Sequence, residues 1–256
     1  MKDALMNKEI VHIMNDISSW LYYQKQLGVE IIPRGSELSA FLDNRVKDKI
    51  SLQGLTSTRE YGDEIPAPTD LDGLRRMVEN CNRCELHKKR QNIVFGEGPE
   101  NAKLVLVGEA PGREEDMQGL PFVGPSGELL TDMLNAVNIS RKDVFITSVI
   151  KCRPPHNRTP GHEEIAACSF FLRHQLRLID PPLILALGLV AAQTLLKEKA
   201  PLKSLRGRFH QLGNAGVMPI YHPAYLLRSQ GSRQLDLKRV VWQDLQILEK
   251  EYAKYC

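Results

Sequence analysis

Four cysteines constrain this chain more than any other feature of its sequence. Cys81 and Cys84 form a close pair, whereas Cys152 and Cys168 lie much further along the chain. Thiolates from two such distant segments can together enclose one soft metal centre. A centre of that kind would close a long loop, and the loop contains a glycine-rich turn at residues 108–112.

The spacing of these cysteines leaves three interpretations open. Structural zinc sites usually take two short pairs of ligands, and here the second pair, Cys152 and Cys168, is widely spaced. A [4Fe–4S] cluster accepts wide spacing because it is larger than one ion. The cysteines can also be unmetallated core residues. We expect no stable disulfides, since the sequence shows no secretory segment and indicates a reducing cytoplasm. Cys256 is interpreted as a spare surface thiol.

Charge is unevenly distributed along the chain, although the net charge is only +3 over 256 residues. Residues 201–241 carry seven Lys and Arg against one Asp, a net of +6. Residues 97–116 carry six carboxylates and two basic side chains, a net of −4. An acidic loop between basic segments is typical of an enzyme that binds a polyanion and carries out water chemistry at one point.

Apolar runs and helical periodicity alternate through residues 70–256, which we assign to the main domain. The runs predict strands at 103–107, 144–149, 183–187 and 217–221, and the periodic segments predict helices at 126–137, 162–179, 189–198 and 236–254. This alternation predicts an α/β fold, a three-layer α/β/α sandwich with a short, mostly parallel central sheet.

The first 69 residues differ in character from the rest. Residues 4–27 have the apolar spacing of an amphipathic helix, and we assign residues 1–32 to an N-terminal helical extension. Residues 33–69 contain glycine, proline and charge with few apolar side chains, which indicates a flexible linker. The helix can pack on the main domain or bind a partner protein.

Several chemically useful side chains follow predicted strands, and ligands of parallel sheets bind at the carboxyl ends of the strands. Glu109 lies on the turn after the first strand and can hold a water molecule, or be an ordinary surface glutamate. Phe122 lies on a loop between glycines, where it can stack on a base or plug the core. His222 follows the last strand, where it can donate to a developing anion or be structural.

Taken together, the motifs resemble a family 4 uracil-DNA glycosylase, the iron–sulfur class of that superfamily. The resemblance covers about residues 75–250. The matching segments, in chain order, are the pair Cys81/Cys84, the GEAPG turn at 108–112, 114–116, 121–124, the KCRPP run at 151–155, 157–158, Cys168, 206–209 and 222–228.

The resemblance implies an enzyme that flips uracil out of DNA and hydrolyses its N-glycosidic bond, leaving an abasic site. It implies that Cys81, Cys84, Cys152 and Cys168 hold a structural [4Fe–4S] cluster. Expected catalytic residues are Glu109 or Glu115 for the water and His222 for the uracil anion. The uracil site is expected to comprise Gly108, Glu109, Ala110, Phe122, Ser148 and His222.

The expected partner is uracil-containing DNA, single- or double-stranded. Its phosphates and bases are expected to contact basic and apolar side chains in the second half of the chain, namely Arg153, Arg206, Tyr225, Leu226 and Arg228. We expect a monomer in the cytoplasm, associated with the nucleoid through DNA and without a membrane partner. A repair or replication protein is expected to bind the N-terminal helix.

Ser148 departs from the family pattern, which usually carries an asparagine four residues before the cysteine of KCRPP. A hydroxyl cannot span two base atoms as an amide can. Two alternatives follow from this change. One is a catalytically weak protein of the same fold that binds uracil or damaged DNA, and the other is a glycosylase of altered specificity for deaminated bases.

Overall fold

The computed structural model describes residues 68–255. The predicted N-terminal helix, nearly all of the predicted linker and Cys256 lie outside these residues, so those assignments stay predictions. No helix within residues 68–255 has both the length and the apolarity needed to cross a membrane.

The described residues form eight α-helices and five β-strands. The strands are β1 (Leu104–Gly108), β2 (Phe145–Ser148), β3 (Leu183–Leu187), β4 (His210–Leu212) and β5 (Ala215–Ile220). The helices are α1 (Leu71–Glu79), α2 (Arg113–Gln118), α3 (Pro125–Asn135), α4 (His162–Ile179), α5 (Leu189–Leu196), α6 (Leu202–Leu205), α7 (Pro223–Arg228) and α8 (Gly231–Tyr252).

The five strands form one sheet in the order β2-β1-β3-β5-β4. β1 pairs in parallel with both β2 and β3, and β3 pairs in parallel with β5. Among the five strands that the structure describes, only β4 runs antiparallel, on β5 at the edge of the sheet. The carboxyl ends of four strands therefore lie along one edge, which is where the sequence places its candidate site residues.

Alternate strand residues face two separate hydrophobic cores. Val105 and Val107 of β1 pack with α1, α4 and α5 on one face of the sheet. Leu104 and Leu106 pack with α3, α7 and α8 on the other face. Strand side chains alternate between the two faces of a sheet, and here both faces are apolar, so helices cover both. The predicted three-layer α/β/α sandwich is confirmed.

The sequence prediction missed the nine-residue helix α1, and its other differences from the structure concern shorter elements and helix ends. The three residues of β4, His210–Leu212, are partly or fully exposed and lack an apolar run, so no strand was predicted there. α2 and α7 have six residues each, too few to show helical periodicity. The last helix begins at Gly231 rather than at residue 236, and it ends at Tyr252.

Candidate active site

A cleft of about 550 Å³ opens at the carboxyl edge of the sheet. Its walls come from the segments that follow β1, β2, β3 and β5, together with loops before α3 and α4. The sequence-predicted residues that line it are Glu109, Ala110, Glu115, Phe122, Ser148, His222, Tyr225 and Arg228. The structure thus brings together residues that are more than 100 positions apart in the chain.

Phe122 is held rigidly on one wall of this cleft. It is 7 % exposed, and its backbone adopts a φ of +52°. Its ring lies so close to Gly108 that a Cβ on Gly108 would be 2.8 Å from the ring, so only glycine fits there. Arg141 binds the loop by donating to the carbonyl oxygens of Phe122, at 3.1 Å, and Pro121, at 2.8 Å.

His222 lies beside Phe122, with ring centroids 5.6 Å apart and planes 26° from parallel. It is the N-cap of α7, and its Nδ1 accepts a hydrogen bond from the backbone N–H of Ala224 at 3.1 Å. A neutral imidazole with Nδ1 as acceptor carries its proton on Nε2. Gly188 leaves room for the imidazole, because a Cβ there would be 3.2 Å from the Cβ of His222.

Electrostatics keep His222 neutral. Burial, with a smaller contribution from the Arg228 guanidinium, lowers the pKa of His222 to about 4, whereas Glu115 acts in the opposite direction. Desolvation disfavours the imidazolium, and a nearby cation adds to that effect. At neutral pH the residue is therefore an uncharged N–H donor.

The two candidate carboxylates have different surroundings. Glu115 is 9 % exposed, and its oxygens accept hydrogen bonds from the backbone N–H groups of Gly112 (3.0 Å), Val123 (3.1 Å) and Gly124 (3.2 Å). It thus ties the GEAPG turn to the loop that carries Phe122. Glu109 makes no side-chain hydrogen bond or ion pair within the described part of the chain.

Glu109 lines the cleft and is partly exposed. Burial raises the pKa of its carboxyl, and the Arg228 guanidinium opposes that rise. A carboxylate with a raised pKa and no hydrogen bond to residues 68–255 can accept a proton or orient a water molecule. The geometry therefore favours Glu109 over Glu115 as the group that handles water.

Ser148 is the last residue of β2 and pairs in register with Gly108 of β1. It is 4 % exposed, it lines the cleft, and a Cβ on Gly108 would be 3.2 Å from its Oγ. Its hydroxyl makes no hydrogen bond to any residue between 68 and 255. The backbone carbonyl of Ser148 is bound, because Lys151 Nζ donates to it at 2.6 Å.

The structure corrects two of the predicted DNA-contacting residues. Leu226 is 2 % exposed and packs in the core under α7, so it cannot enter a duplex, whereas its neighbour Leu227 is 46 % exposed. Arg206 donates to Asp244 through two nitrogens and also to the carbonyl of Val240. Its guanidinium is occupied within the protein, so Arg206 is unsuited to bind phosphate.

The other predicted DNA contacts remain accessible. Arg228 is exposed at the end of α7 and lines the cleft, as does Tyr225. Tyr225 stacks on Tyr221 with centroids 5.5 Å apart, and its hydroxyl accepts a hydrogen bond from Arg233 at 2.7 Å. Arg153 is half-buried and donates to Asn157 at 2.7 Å.

A second, much smaller cavity is lined by all four internal cysteines. Cys152 and Cys168 are buried, and Cys81 and Cys84 are partly exposed. Burial raises the pKa of Cys168 to about 12 and also raises that of Cys152. Within residues 68–255, no three His, Cys, Asp or Glu side chains are placed closely enough to hold one metal ion. Four soft donors around one cavity nevertheless fit a thiolate-bound iron–sulfur cluster.

Several supporting residues were missed by the sequence prediction. They are Arg141, which binds the Phe122 loop, Tyr221, and two basic residues at the cysteine cavity, Arg90 and Lys151. Lys151 stands next to Cys152 in the KCRPP run, so its position in the motif was a usable signal. The role of Arg141 depends on contacts across 20 residues and has no local signal.

Comparison with known proteins agrees with this site. Residues 95–246 match the family model of the uracil DNA glycosylase superfamily. A type-4 uracil-DNA glycosylase of Thermotoga maritima is 45% identical over 178 residues, which cover 69% of this chain and 91% of that protein. One from Pyrobaculum aerophilum is 44% identical over 179 residues, covering 66% and 91%.

A further type-4 uracil-DNA glycosylase, from Archaeoglobus fulgidus, is 44% identical over 165 residues, which cover 61% of this chain and 83% of that protein. The family match spans the sheet, the cleft and most of the last helix. This chain therefore belongs to the uracil-DNA glycosylase superfamily and, within it, to the type-4 class.

Proposed function

We propose that this protein removes uracil from DNA by hydrolysing the N-glycosidic bond, and that His222 and Glu109 carry the reaction. The single observation that carries this assignment is that one cleft is lined by a neutral imidazole, by a carboxylate with no hydrogen bond to residues 68–255 and by the buried ring of Phe122. The cleft also carries Arg228 at its rim, as a site for a polyanion requires.

The proposed mechanism begins with extrusion of the nucleotide into the cleft, since the bond is out of reach inside a stacked duplex. The base stacks against Phe122. As the bond between C1′ and N1 breaks, negative charge develops on uracil, and the Nε2–H of His222 donates to it. A neutral imidazole can stabilise that anion without giving up its proton, because its N–H is a far weaker acid than the N–H of uracil. The hydrogen bond from Ala224 to Nδ1 keeps the imidazole proton on Nε2.

Glu109 completes the reaction in this proposal. Its carboxylate orients a water molecule towards C1′ and accepts a proton as the water attacks. Arg228 lowers the pKa of Glu109 and so favours the ionised form that this role requires. Glu115 instead holds the turn and the Phe122 loop together, because backbone donors already surround its oxygens.

We further propose that Cys81, Cys84, Cys152 and Cys168 hold a [4Fe–4S] cluster. The support is the set of four thiols around one cavity, drawn from the segment after α1, the loop after β2 and helix α4. The cluster supplies cross-linking of these segments and takes no part in hydrolysis. Anaerobically purified protein should be brown and contain about four iron atoms per chain, and one stoichiometric zinc would reject this assignment.

Ser148 supports a second candidate, a glycosylase of altered specificity. Its hydroxyl, at the end of β2, makes no hydrogen bond to the described part of the chain and can turn to donate or accept. An asparagine amide presents a donor and an acceptor in one plane, so Ser148→Asn should improve discrimination between uracil and cytosine by about 1–3 kcal/mol. If Ser148→Asn and the wild-type protein excise each of uracil, hypoxanthine and xanthine at the same rate, Ser148 does not touch the base.

The test of the main proposal is excision from a labelled oligonucleotide with one uracil, cleaved by alkali at the abasic site. Single- and double-stranded substrates should be compared with thymine controls, and DNA binding should be measured on the same samples. Release of uracil by the wild-type protein, and its loss in Glu109→Gln with binding intact, is the expected result. Tight binding of uracil DNA without release by the wild-type protein would favour the binding-protein alternative.

The proposal for the N-terminal segment is based on its sequence alone. We propose that the amphipathic helix expected within residues 1–32 recruits a repair or replication protein. Affinity capture with the full chain and with a chain lacking residues 1–32 tests this, and capture of the same partners by both chains would exclude it.

A further inference from the structure

Arg90 makes an unusual set of contacts beside the cysteine cavity. Its Nη1 donates to the sulfur of Cys152 at 3.3 Å and to the backbone carbonyl of Cys81 at 2.9 Å. Its Nη2 donates to the carbonyl of Glu79, at the end of α1, at 3.3 Å. One guanidinium therefore spans the two cysteine-bearing segments and also contacts a ligand sulfur directly.

The contact with the Cys152 sulfur has an electrostatic effect in addition to holding the loop in place. Two carbonyl contacts would suffice to tie Arg90 to the end of α1 and to Cys81. A charged N–H aimed at the sulfur of Cys152 also stabilises negative charge on that sulfur. The side chain is partly buried, so water screens this interaction less than it would at the surface.

Hydrogen bonds to ligand sulfurs are one of the factors that set the reduction potential of an iron–sulfur cluster. One-electron reduction adds negative charge to the cluster and its thiolates. A cationic donor then binds the reduced form more tightly than the oxidised form, which raises the potential.

We propose that Arg90 tunes the iron–sulfur cluster by donating a hydrogen bond from its guanidinium to the Cys152 thiolate, raising the cluster's reduction potential. This inference rests on the proposed cluster at the four cysteines. The redox step is [4Fe–4S]²⁺ plus one electron giving [4Fe–4S]⁺, with the electron supplied by dithionite, and no proton or ligand changes place. Arg90 is a positioning residue in this scheme, because it acts through Cys152.

Arg83 offers a matched control. It lines the same cavity, and its guanidinium lies over the rings of Phe170, at 4.6 Å, and Phe171, at 5.2 Å. Within the described residues it donates to no cysteine sulfur. Arg83→Met therefore removes one positive charge near the cluster but no hydrogen bond to sulfur, whereas Arg90→Met removes both.

The experiment is a dithionite titration of the full-length, cluster-loaded protein, followed by electron paramagnetic resonance. Arg90→Met should be harder to reduce than wild type, and Arg83→Met should shift the midpoint less. Arg90→Lys keeps the charge but has a different donor geometry, so its midpoint should lie between those of wild type and Arg90→Met. Equal shifts in Arg83→Met and Arg90→Met would overturn the proposal.

A measurement on the wild-type protein guards against variants that lose the cluster. Protein grown with ¹⁵N-guanidinium arginine should show nitrogen hyperfine coupling to the reduced cluster in pulsed electron paramagnetic resonance. Arg83→Met should retain this coupling, and its absence from the wild type would refute the hydrogen bond. Protein without iron would instead refute the cluster itself, so the two failures are distinguishable.

Discussion

Replacing His222 with asparagine separates the proton chemistry of this residue from its place in the fold. Asparagine is a favoured N-cap residue, and its side-chain oxygen can accept the hydrogen bond that Ala224 now donates to Nδ1. The variant should therefore retain the start of α7. What it loses is the titrating imidazole with its Nε2–H donor.

The expected effect on stability follows from the depressed pKa. His222 titrates at about 4 in the folded protein, against 6.5 for an ordinary histidine. Above pH 6.5 it is neutral in both states and stability is unaffected. Between pH 6.5 and 4 the unfolded chain binds a proton that the folded chain does not, so the free energy of unfolding falls as the pH falls.

The size of this loss comes from the pKa difference. At 1.36 kcal/mol per pKa unit, His222 should cost about 2 kcal/mol by pH 5 and about 3 kcal/mol by pH 4. Water in the cleft screens part of this, so these values are upper bounds. His222→Asn lacks this contribution, and its stability should fall less steeply with acid than that of the wild type.

Urea unfolding between pH 8 and pH 5 gives the free energy of unfolding of the wild type and of His222→Asn. Both proteins contain the same carboxylates, so the carboxylate contributions cancel in the difference between the two. NMR of the imidazole gives the native pKa directly. Excision by His222→Asn should be about 10²–10³-fold slower, as for the loss of one donor to a developing anion. Parallel stability curves, or an imidazole that titrates near 6.5, would refute the neutral histidine.

Three further predictions concern the cleft and its rim. Glu109→Gln should slow excision by about 10²–10⁴-fold without weakening DNA binding. Glu115→Gln should lower stability as well, since its carboxylate accepts hydrogen bonds from backbone N–H groups. If the two variants have equal effects on the excision rate and on urea unfolding, the separate roles of Glu109 and Glu115 are refuted. Leu227→Ala should weaken duplex binding at unchanged stability, whereas Leu226→Ala should cost about 2–5 kcal/mol of stability, as burial predicts. Arg228→Ala should reduce the slope of DNA affinity against salt concentration by about one phosphate contact. It should also raise the pKa values of both His222 and Glu109, which would shift the acid limb of the pH profile of the excision rate to higher pH.

The sheet was predictable because buried parallel strands leave a strong sequence signal. The run at 183–187 is apolar throughout and matches β3 in full, as expected for a strand covered on both faces. Edge strand β4 carries no such signal, because its side chains are partly or fully exposed and its pairing depends on β5 alone. Tertiary pairing, rather than local propensity, makes those three residues a strand.

The sequence predicted which strand ends form the site, but it did not predict the directions in which the side chains point. A parallel sheet gathers its carboxyl ends, so Glu109, the segment after Val149 and His222 were expected to meet, whereas Ser148 was assigned to the site through the family resemblance. Which of Leu226 and Leu227 faces solvent depends on the rotation of a six-residue helix, which periodicity cannot fix. Likewise, the charge of Arg206 does not reveal that Asp244 lies opposite it in α8.

Lys151 shows why the cysteine cavity and the cleft form one structural unit. It is fully buried, and its Nζ donates to Thr147 Oγ1 at 2.6 Å, to the Ser148 carbonyl at 2.6 Å and to Gln175 Oε1 at 2.7 Å. Its own backbone N–H donates to the sulfur of Cys168 at 3.3 Å. A buried ammonium is tolerated only when its donors are satisfied, so these partners must keep their positions together. The end of β2 that carries Ser148 is therefore held by the same residue whose backbone N–H contacts Cys168.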